Sequence, residues 1–310
     1  MERLERFERW ERWERWEDRV ARWVALEGPE AERSVVEALC RVGGALSYLR
    51  AATGPVAGAA RPGSVAEDGQ WMKCDELLAS PVWLEATVRS SGGRLGTGSA
   101  AVAASLFVLG YSYRVVTLAV SCMLMSGTIP SSSPQAFAVA MSSGRPALVS
   151  YCKPRALVLA PGLAPGLTPG PAAFADRELV GEALSFIVDD AVDGHLRLLV
   201  DAICSRIRVG RRLLWGNVAA SSAVAFQTME GTLGDWVKPI GERFFEIVPS
   251  ELQGQGNFLA VEHAGRSGWY WERRNCCLND RLPKGVRCGD CSLTPPDQRR
   301  DAYLAGLANN

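Results

Sequence analysis

Residues 276–291 read CCLNDRLPKGVRCGDC and contain four of the nine cysteines of the chain, at the spacing C-C-x10-C-x2-C. The four are Cys276, Cys277, Cys288 and Cys291. Four thiolates in so short a segment can surround one soft metal centre, and both zinc and iron–sulfur clusters prefer sulfur ligands. In the second half of the motif a glycine between the two cysteines favours a tight turn that points both sulfurs at one metal. The segment therefore predicts a small metal-binding subdomain, residues 266–296.

The adjacent pair at the start of the motif is unusual. Neighbouring side chains diverge in an extended chain, so both can reach one centre only if the backbone bends or if two metal atoms share the ligands. Zinc ligand pairs normally have about two to four residues between them. A two-iron cluster spreads its ligands over two metals and fits the pair better, although structural zinc stays open. Disulfides are less favoured, because nothing in the chain indicates an oxidising compartment.

The residues between the cysteines extend the pattern. Arg281-Leu282-Pro283, the loop length and the Cys-Gly-x-Cys turn closely resemble the carboxyl-terminal motif of the FhuF-like ferric-siderophore reductases. Residues 213–219, LLWGNVA, are similar to a helix start in that family. The resemblance is strong over residues 191–293, weak over 93–161 and absent before them.

The resemblance implies a cofactor and an activity. It implies a [2Fe-2S] cluster on the four cysteines and no catalytic residue beyond these ligands. It also implies a cytoplasmic enzyme that passes one electron to Fe(III) held in a siderophore. Fe(II) binds hard oxygen donors more weakly, so the iron is released. An external ferredoxin or flavoprotein would supply the electron.

Two alternatives from other classes stay open. The chain could be a non-catalytic iron–sulfur carrier or redox sensor, or a zinc-stapled binding module whose aromatic amino-terminal arm recruits a partner. The sequence has no glycine-rich dinucleotide fingerprint and no P-loop. We therefore do not expect this chain alone to bind a nicotinamide or flavin cofactor.

Composition narrows the partners further. Lys+Arg and Asp+Glu are both 34, so the formal net charge is zero and no long-range basic field exists to attract nucleic acid. No apolar signal segment follows the charged start, which favours the cytoplasm. The uncharged runs 95–113 and 115–130 flank Arg114 and are diluted by Gly, Ser and Thr. They predict buried helices, with weak membrane association at most.

The pattern along the chain predicts an α+β fold that is mainly helical, with a small antiparallel β-meander and the small iron–sulfur subdomain at the carboxyl end. The expected divisions are an amino-terminal helical segment (1–51) with a Glu-Arg-aromatic repeat, a linker (52–69), a reductase body (70–265), the cluster subdomain (266–296) and a tail (297–310).

Several individual elements can also be predicted. Helical spacing continues over 18–49 with a break at Gly28-Pro29, and the apolar runs 136–141, 147–152 and 156–160 predict the meander. Asp176 predicts the start of a long helix to about Val209.

Side chains near the motif have structural as well as functional interpretations. For Trp269, Tyr270 and Trp271 we favour core packing over shielding a cluster or stacking on a chelate. The nearby cations would offset cluster charge, attract an anionic substrate or donor, or simply be solvated. These cations are Arg273, Arg274, Arg281, Lys284 and Arg287.

The remaining histidines and cysteines have no ligand-like spacing. His195 and His263 are expected to be structural. The other five cysteines are expected to be buried small hydrophobes. They are Cys40, Cys74, Cys122, Cys152 and Cys204.

Overall fold

The computed structural model describes residues 22–309 except 48, 57–58, 61, 63–68, 161–168 and 264. The Glu-Arg-aromatic repeat lies outside the described residues. Within them, helices predominate beside small sheets that are largely antiparallel, so the predicted α+β class is confirmed.

Helices account for most of the regular structure in the described residues. They are α1 (Gly28–Ala45), α2 (Cys74–Ala79), α3 (Pro81–Arg94), α4 (Ala100–Ser126), α5 (Arg177–Ile187), α6 (Arg197–Arg206), α7 (Arg211–Leu233), α8 (Lys238–Ile247) and α9 (Pro296–Asn309). The strands are β1 (Trp23–Glu27), β2 (Arg50–Thr53), β3 (Trp71–Lys73), β4 (Thr128–Pro130), β5 (Phe137–Ser142), β6 (Arg145–Tyr151), β7 (Arg155–Leu159), β8 (Gly256–His263) and β9 (Arg266–Arg273).

Helix α4 is the centre of the core and packs along α7. The Ser99 side chain accepts the N–H of Val102 at its start, and Gly127 ends it in the left-handed conformation at φ 65°. Its length and composition would suit a membrane span, but 78% of its apolar window is buried inside the protein. Such burial is typical of the core helix of a folded protein, as the diluted apolar pattern predicts.

Two small sheets cover this helical core. One has the order β1-β7-β4 and the other β2-β6-β5-β3. The β5–β6 hairpin of the predicted meander is confirmed, but β7 pairs antiparallel with β1 and β4 instead of continuing the hairpin. Residues 23–27 were expected to be helical, and this prediction is wrong because their backbone pairs with β7, far along the chain.

The predicted linker, residues 52–69, does not separate the amino-terminal segment from the sheets of the body. Strand β2 pairs in parallel with β6, and the Gly54 N–H continues the pairing by donating to the Tyr151 carbonyl. Ala60 is buried, and its N–H donates to the carbonyl of Trp71. The described part of this glycine- and proline-rich stretch is therefore held against the body.

The long helix predicted after Asp176 is present in three parts. The Asp176 carboxylate accepts the backbone N–H groups of Glu178 and Leu179, which confirms the predicted cap. Between α5 and α6 the chain forms a π-helical segment, Val188–Leu196, which packs His195 into the core.

The chain then forms the hairpin β8–β9 that leads to the cysteines. The ring of Trp269 stacks on Phe258 with centroids 3.6 Å apart, and the ring of Trp271 stacks on Phe245 at 4.5 Å. The residues expected to be a tail form α9, which packs on this hairpin through Tyr303 and Leu307. Core packing of the two tryptophans is therefore confirmed.

Candidate metal centre

The cysteine segment begins directly after β9 and bends sharply. Leu278, which follows the adjacent cysteines, has φ 63°, a left-handed conformation that costs energy for a residue with a side chain. A 3-10 turn, Asn279–Arg281, follows. The structure therefore contains a bend of the kind that adjacent ligands require.

One pair of the predicted sulfur ligands is in contact. The Sγ atoms of Cys277 and Cys288 lie 3.2 Å apart. Two thiolates on one tetrahedral metal with bonds of about 2.3 Å would lie about 3.8 Å apart, so the pair is close to that spacing. Cys291 is buried, and its N–H donates to the Cys288 carbonyl at 3.0 Å, which closes the predicted tight turn.

The fourth cysteine has a different environment. The Cys276 Sγ accepts the N–H of Leu278 at 3.3 Å and lies 3.5 Å from the Asp280 carboxylate. In the described part of the chain, no three His, Cys, Asp or Glu side chains form a ready-made metal site. The donor chemistry, the bend and the sulfur pair fit a sulfur-bound metal, and the full four-cysteine set stays a prediction.

Hydrogen bonding and charge favour a thiolate in the pair. The Cys288 thiol donates a hydrogen bond to the Cys277 sulfur, and the nearby Arg273 guanidinium adds positive charge. Both favour the thiolate of Cys277, and its pKa falls to about 6. The pKa of Cys288 is raised, because its thiol proton makes the hydrogen bond to Cys277. Burial raises the pKa of Cys276 to about 11. Thiolate is the form that binds metal, so the centre is best prepared at Cys277.

A buried arginine lies beside this pair. Arg273 is 3% exposed; its Nη2 donates to Asn217 Oδ1 at 2.7 Å and its Nε to the Asn275 carbonyl at 2.6 Å. Among the described residues, the nearest carboxylate is that of Asp290, 3.9 Å from Nη1. Burial raises the pKa of Asp290 even though Arg273 opposes this. A buried cation normally needs a close anion, so this environment favours negative charge at the sulfurs.

Two polar residues in the core helices anchor the segment. Asn217 of α7 donates through Nδ2 to the carbonyl and the Oγ of Ser105, both at 2.8 Å. Ser105 of α4 donates in turn to the Cys277 carbonyl at 2.7 Å. We call Arg273, Asn217 and Ser105 the anchor. The sequence interpretation missed Asn217 and Ser105 as functional residues; the polar Asn217 within the LLWGNVA helix start was the available signal.

Close packing also holds α7 against the start of the cysteine segment. A Cβ at Gly216, next to Asn217, would lie 2.9 Å from the Cβ of Asn275. The Asn275 amide also donates to the Gln255 side chain. Helix α7 and the start of the cysteine segment therefore fit together without room for a larger residue.

The histidines do not belong to this centre. His195 is fully buried; its Nδ1 contacts the Ser132 carbonyl and its Nε2 lies 2.6 Å from the Tyr111 hydroxyl. Burial lowers the pKa of His195 to about 4, so the ring is neutral. His263 is exposed at the end of β8, where it pairs with Arg266 across the hairpin. The predicted structural role of His195 fits these contacts.

The aromatic and cysteine predictions have mixed outcomes. Tyr270 is half-buried and stacks on Tyr303 at 4.2 Å. Cys74 and Cys122 are buried as predicted. The prediction is wrong for Cys40, which is exposed because it lies on the outward side of α1, whereas Cys152 and Cys204 are partly buried.

Comparison with known protein families shows which family the chain belongs to. The family described as ferric iron reductase FhuF-like transporter matches residues 105–266, which is more than half of the chain. The chain belongs to this family. The region that matches the FhuF-like family begins at Ser105 of the anchor, includes Asn217 and ends before the four cysteines of the motif. Membership supports an oxidoreductase that acts on ferric iron. No curated protein matches the chain.

Proposed function

We propose that this protein is a cytoplasmic ferric-siderophore reductase that uses a [2Fe-2S] cluster held by Cys276, Cys277, Cys288 and Cys291. The observation that carries the proposal is the contact between the Sγ atoms of Cys277 and Cys288, 3.2 Å apart, on a body of the ferric reductase family. When bound, the cluster supplies single electrons at a potential set by its surroundings.

The residues of the chain would position and tune this group. Arg273 places a buried positive charge beside the thiolates, and Ser105 and Asn217 fix the backbone of Cys277 and the guanidinium. Such hydrogen bonds and charges set the potential of sulfur-bound iron. Cys276 and Cys288 are partly exposed, so an electron can leave at the surface.

The reaction itself needs no acid or base. One electron passes to Fe(III) in the siderophore, the iron becomes Fe(II), and the hard oxygen donors hold Fe(II) less tightly. The protein loses that electron, and an external donor such as a ferredoxin or flavoprotein restores it. The chelate is recognised by shape and charge, and the siderophore can then be reused.

Spectroscopy tests the cofactor first. Protein purified without oxygen should be red-brown, with about two irons and two sulfides per chain as a two-iron cluster requires. Cys288→Ser should abolish the visible bands, whereas Cys122→Ser, which changes a buried cysteine of α4, should keep them. A colourless protein with one bound zinc would overturn the proposal in favour of the zinc-stapled module.

Kinetics then separates a reductase from a carrier or sensor. Reduced protein is mixed with a ferric hydroxamate or catecholate in a stopped-flow instrument, and Fe(II) is trapped by a chromogenic chelator. We expect the visible bands of the oxidised protein to return as Fe(II) appears, one iron per electron. Loaded protein that transfers no electron to either chelate would show a carrier or sensor instead.

A further inference from the structure

The turn between the two halves of the cysteine motif is held rigidly. We call residues 279–287 the cysteine loop. The Asn279 Nδ2 donates to the Val286 carbonyl at 2.9 Å, and the Gly285 N–H donates to the Leu282 carbonyl at 2.9 Å. A Cβ at Gly285 would lie 1.8 Å from the Asn279 oxygen, so the loop is also tightly packed. Its surface therefore has a defined shape.

The outer face of this loop is basic with an apolar centre. Arg281, Lys284 and Arg287 are all exposed, and among the described residues none of them forms an ion pair. Val286, between two of these cations, is 70% exposed. Arg145, the first residue of β6, donates to the Asn279 side chain at 3.2 Å and extends the positive charge to a second element.

This arrangement suits a protein partner better than a small chelate. Small molecules bind in concave, mostly apolar sites, whereas Val286 points outward from a tight turn. Protein interfaces combine an apolar centre with a polar rim, and transient redox complexes use small interfaces of this kind. Charges at the rim mainly speed the encounter with an oppositely charged partner.

The position of the loop identifies the kind of partner. The loop connects Cys277 to Cys288, so a protein bound there lies beside the sulfur pair. We propose that the cysteine loop docks a small acidic one-electron carrier protein, which supplies the electrons that the chelate removes. This inference rests on the proposed function, because it concerns the reductive half of the same cycle.

The test measures the two half-reactions separately on cluster-loaded, full-length protein. The probe donor is an acidic plant-type [2Fe-2S] ferredoxin, reduced in advance, and the second-order rate of cluster reduction is followed by stopped flow. The variant Lys284→Glu is compared with Arg33→Glu, an exposed site on α1 with the same change in charge. Reoxidation by a ferric hydroxamate is measured on the same samples.

We expect Lys284→Glu to slow reduction by ferredoxin at least tenfold at low salt and Arg33→Glu to change it less than twofold. The difference should shrink in 1 M salt, where the screening length is about 3 Å. The reduction potential and the reoxidation rate should match wild type. An unchanged ferredoxin rate in Lys284→Glu would overturn the proposal, as would a slowed reoxidation by the chelate, which would assign the loop to the substrate.

The same experiment distinguishes a failure of the proposed function from a failure of the docking proposal. If ferredoxin reduces the wild-type protein at a rate that depends on Lys284 and on salt, but no ferric chelate reoxidises it, the docking surface stands and the protein is a carrier. The variant Val286→Asp gives a second check. It should slow the ferredoxin step without loss of the visible bands, and retention of the wild-type rate would count against an apolar centre of the interface.

Discussion

Replacement of Asn217 by alanine tests whether α7 and the cysteine segment are one structural unit. The side chain is completely buried and makes three hydrogen bonds, two to Ser105 and one from Arg273. A net contribution of about 0.5–1.5 kcal/mol is typical of a neutral bond and about 1.5–3 kcal/mol of one to a charged group. We therefore expect Asn217→Ala to lower the free energy of unfolding by about 3–4 kcal/mol, because a buried guanidinium also loses its acceptor.

A matched control lies on the same helix. Ser222 is also fully buried, but its Oγ donates only to the Val218 carbonyl of α7 itself, at 2.9 Å. Ser222→Ala should cost about 1 kcal/mol or less, since it leaves no charged group without a partner. Urea unfolding followed by tryptophan fluorescence measures both losses.

A double-mutant cycle locates the effect. If Asn217 acts through Ser105, the double variant Ser105→Ala/Asn217→Ala should lose less stability than the two single losses together, by about 0.5–3 kcal/mol as is usual for residues in contact. In the double variant the labelling rate of the Cys277 thiol should also rise, because the hydrogen bond from Ser105 to the Cys277 carbonyl is lost. A loss in Asn217→Ala no larger than that in Ser222→Ala would refute the reasoning.

Three further predictions concern the centre and the core. In the loaded protein, Arg273→Gln should make reduction harder by tens of millivolts in a spectroelectrochemical titration, whereas the exposed Arg274→Gln should not, because only Arg273 is buried beside the sulfurs. Gly285→Ala should lower the unfolding free energy by about 1–3 kcal/mol, since its Cβ would meet a backbone oxygen at 1.8 Å. Gly289→Ala is the control, because a Cβ at Gly289 would have no atom within 4 Å. Equal losses of unfolding free energy in the two variants would contradict the close packing at Gly285. The lowered pKa of His195, about 4, means that the folded state binds fewer protons there, so its contribution to stability is lost as pH falls from about 6.5 through 4. Chemical unfolding at several pH values measures the free energy of unfolding of wild type and of His195→Gln. The difference between the two should shrink as pH falls through that range. A difference that does not depend on pH would exclude a neutral buried ring in wild type.

Local signals in the sequence were the reliable ones. The Asp176 cap and the β5–β6 hairpin depend on residues close together in the chain, and both are present. The cysteine turn could also be predicted, because the glycine at position 289 allows it. Strand β1 was missed because its residues fit a helical spacing as well, and only its distant partner β7 decides the conformation.

The anchor could not be predicted for the same reason. Ser105 and the Cys277 carbonyl are 172 positions apart, and a serine in an apolar helix usually bonds to its own helix, as Ser126 does with the Cys122 carbonyl. The sequence contains no pattern that distinguishes the two cases. Asn217 is more informative, since an amide rarely lies in an apolar helix without a partner elsewhere.

The anchor also explains how a centre close to the surface can be held firmly. Two of the cysteines are partly exposed and the loop between them lies at the surface, so packing within the loop does not by itself connect the sulfurs to the core. The backbone of Cys277 is instead bonded to α4 and Arg273 is bonded to α7, so three hydrogen bonds connect the cysteine segment to the core. A site held through such supporting contacts keeps its geometry while its outer face stays open to partners. Ser105 and Asn217 of the two core helices would therefore support the proposed centre without being ligands themselves.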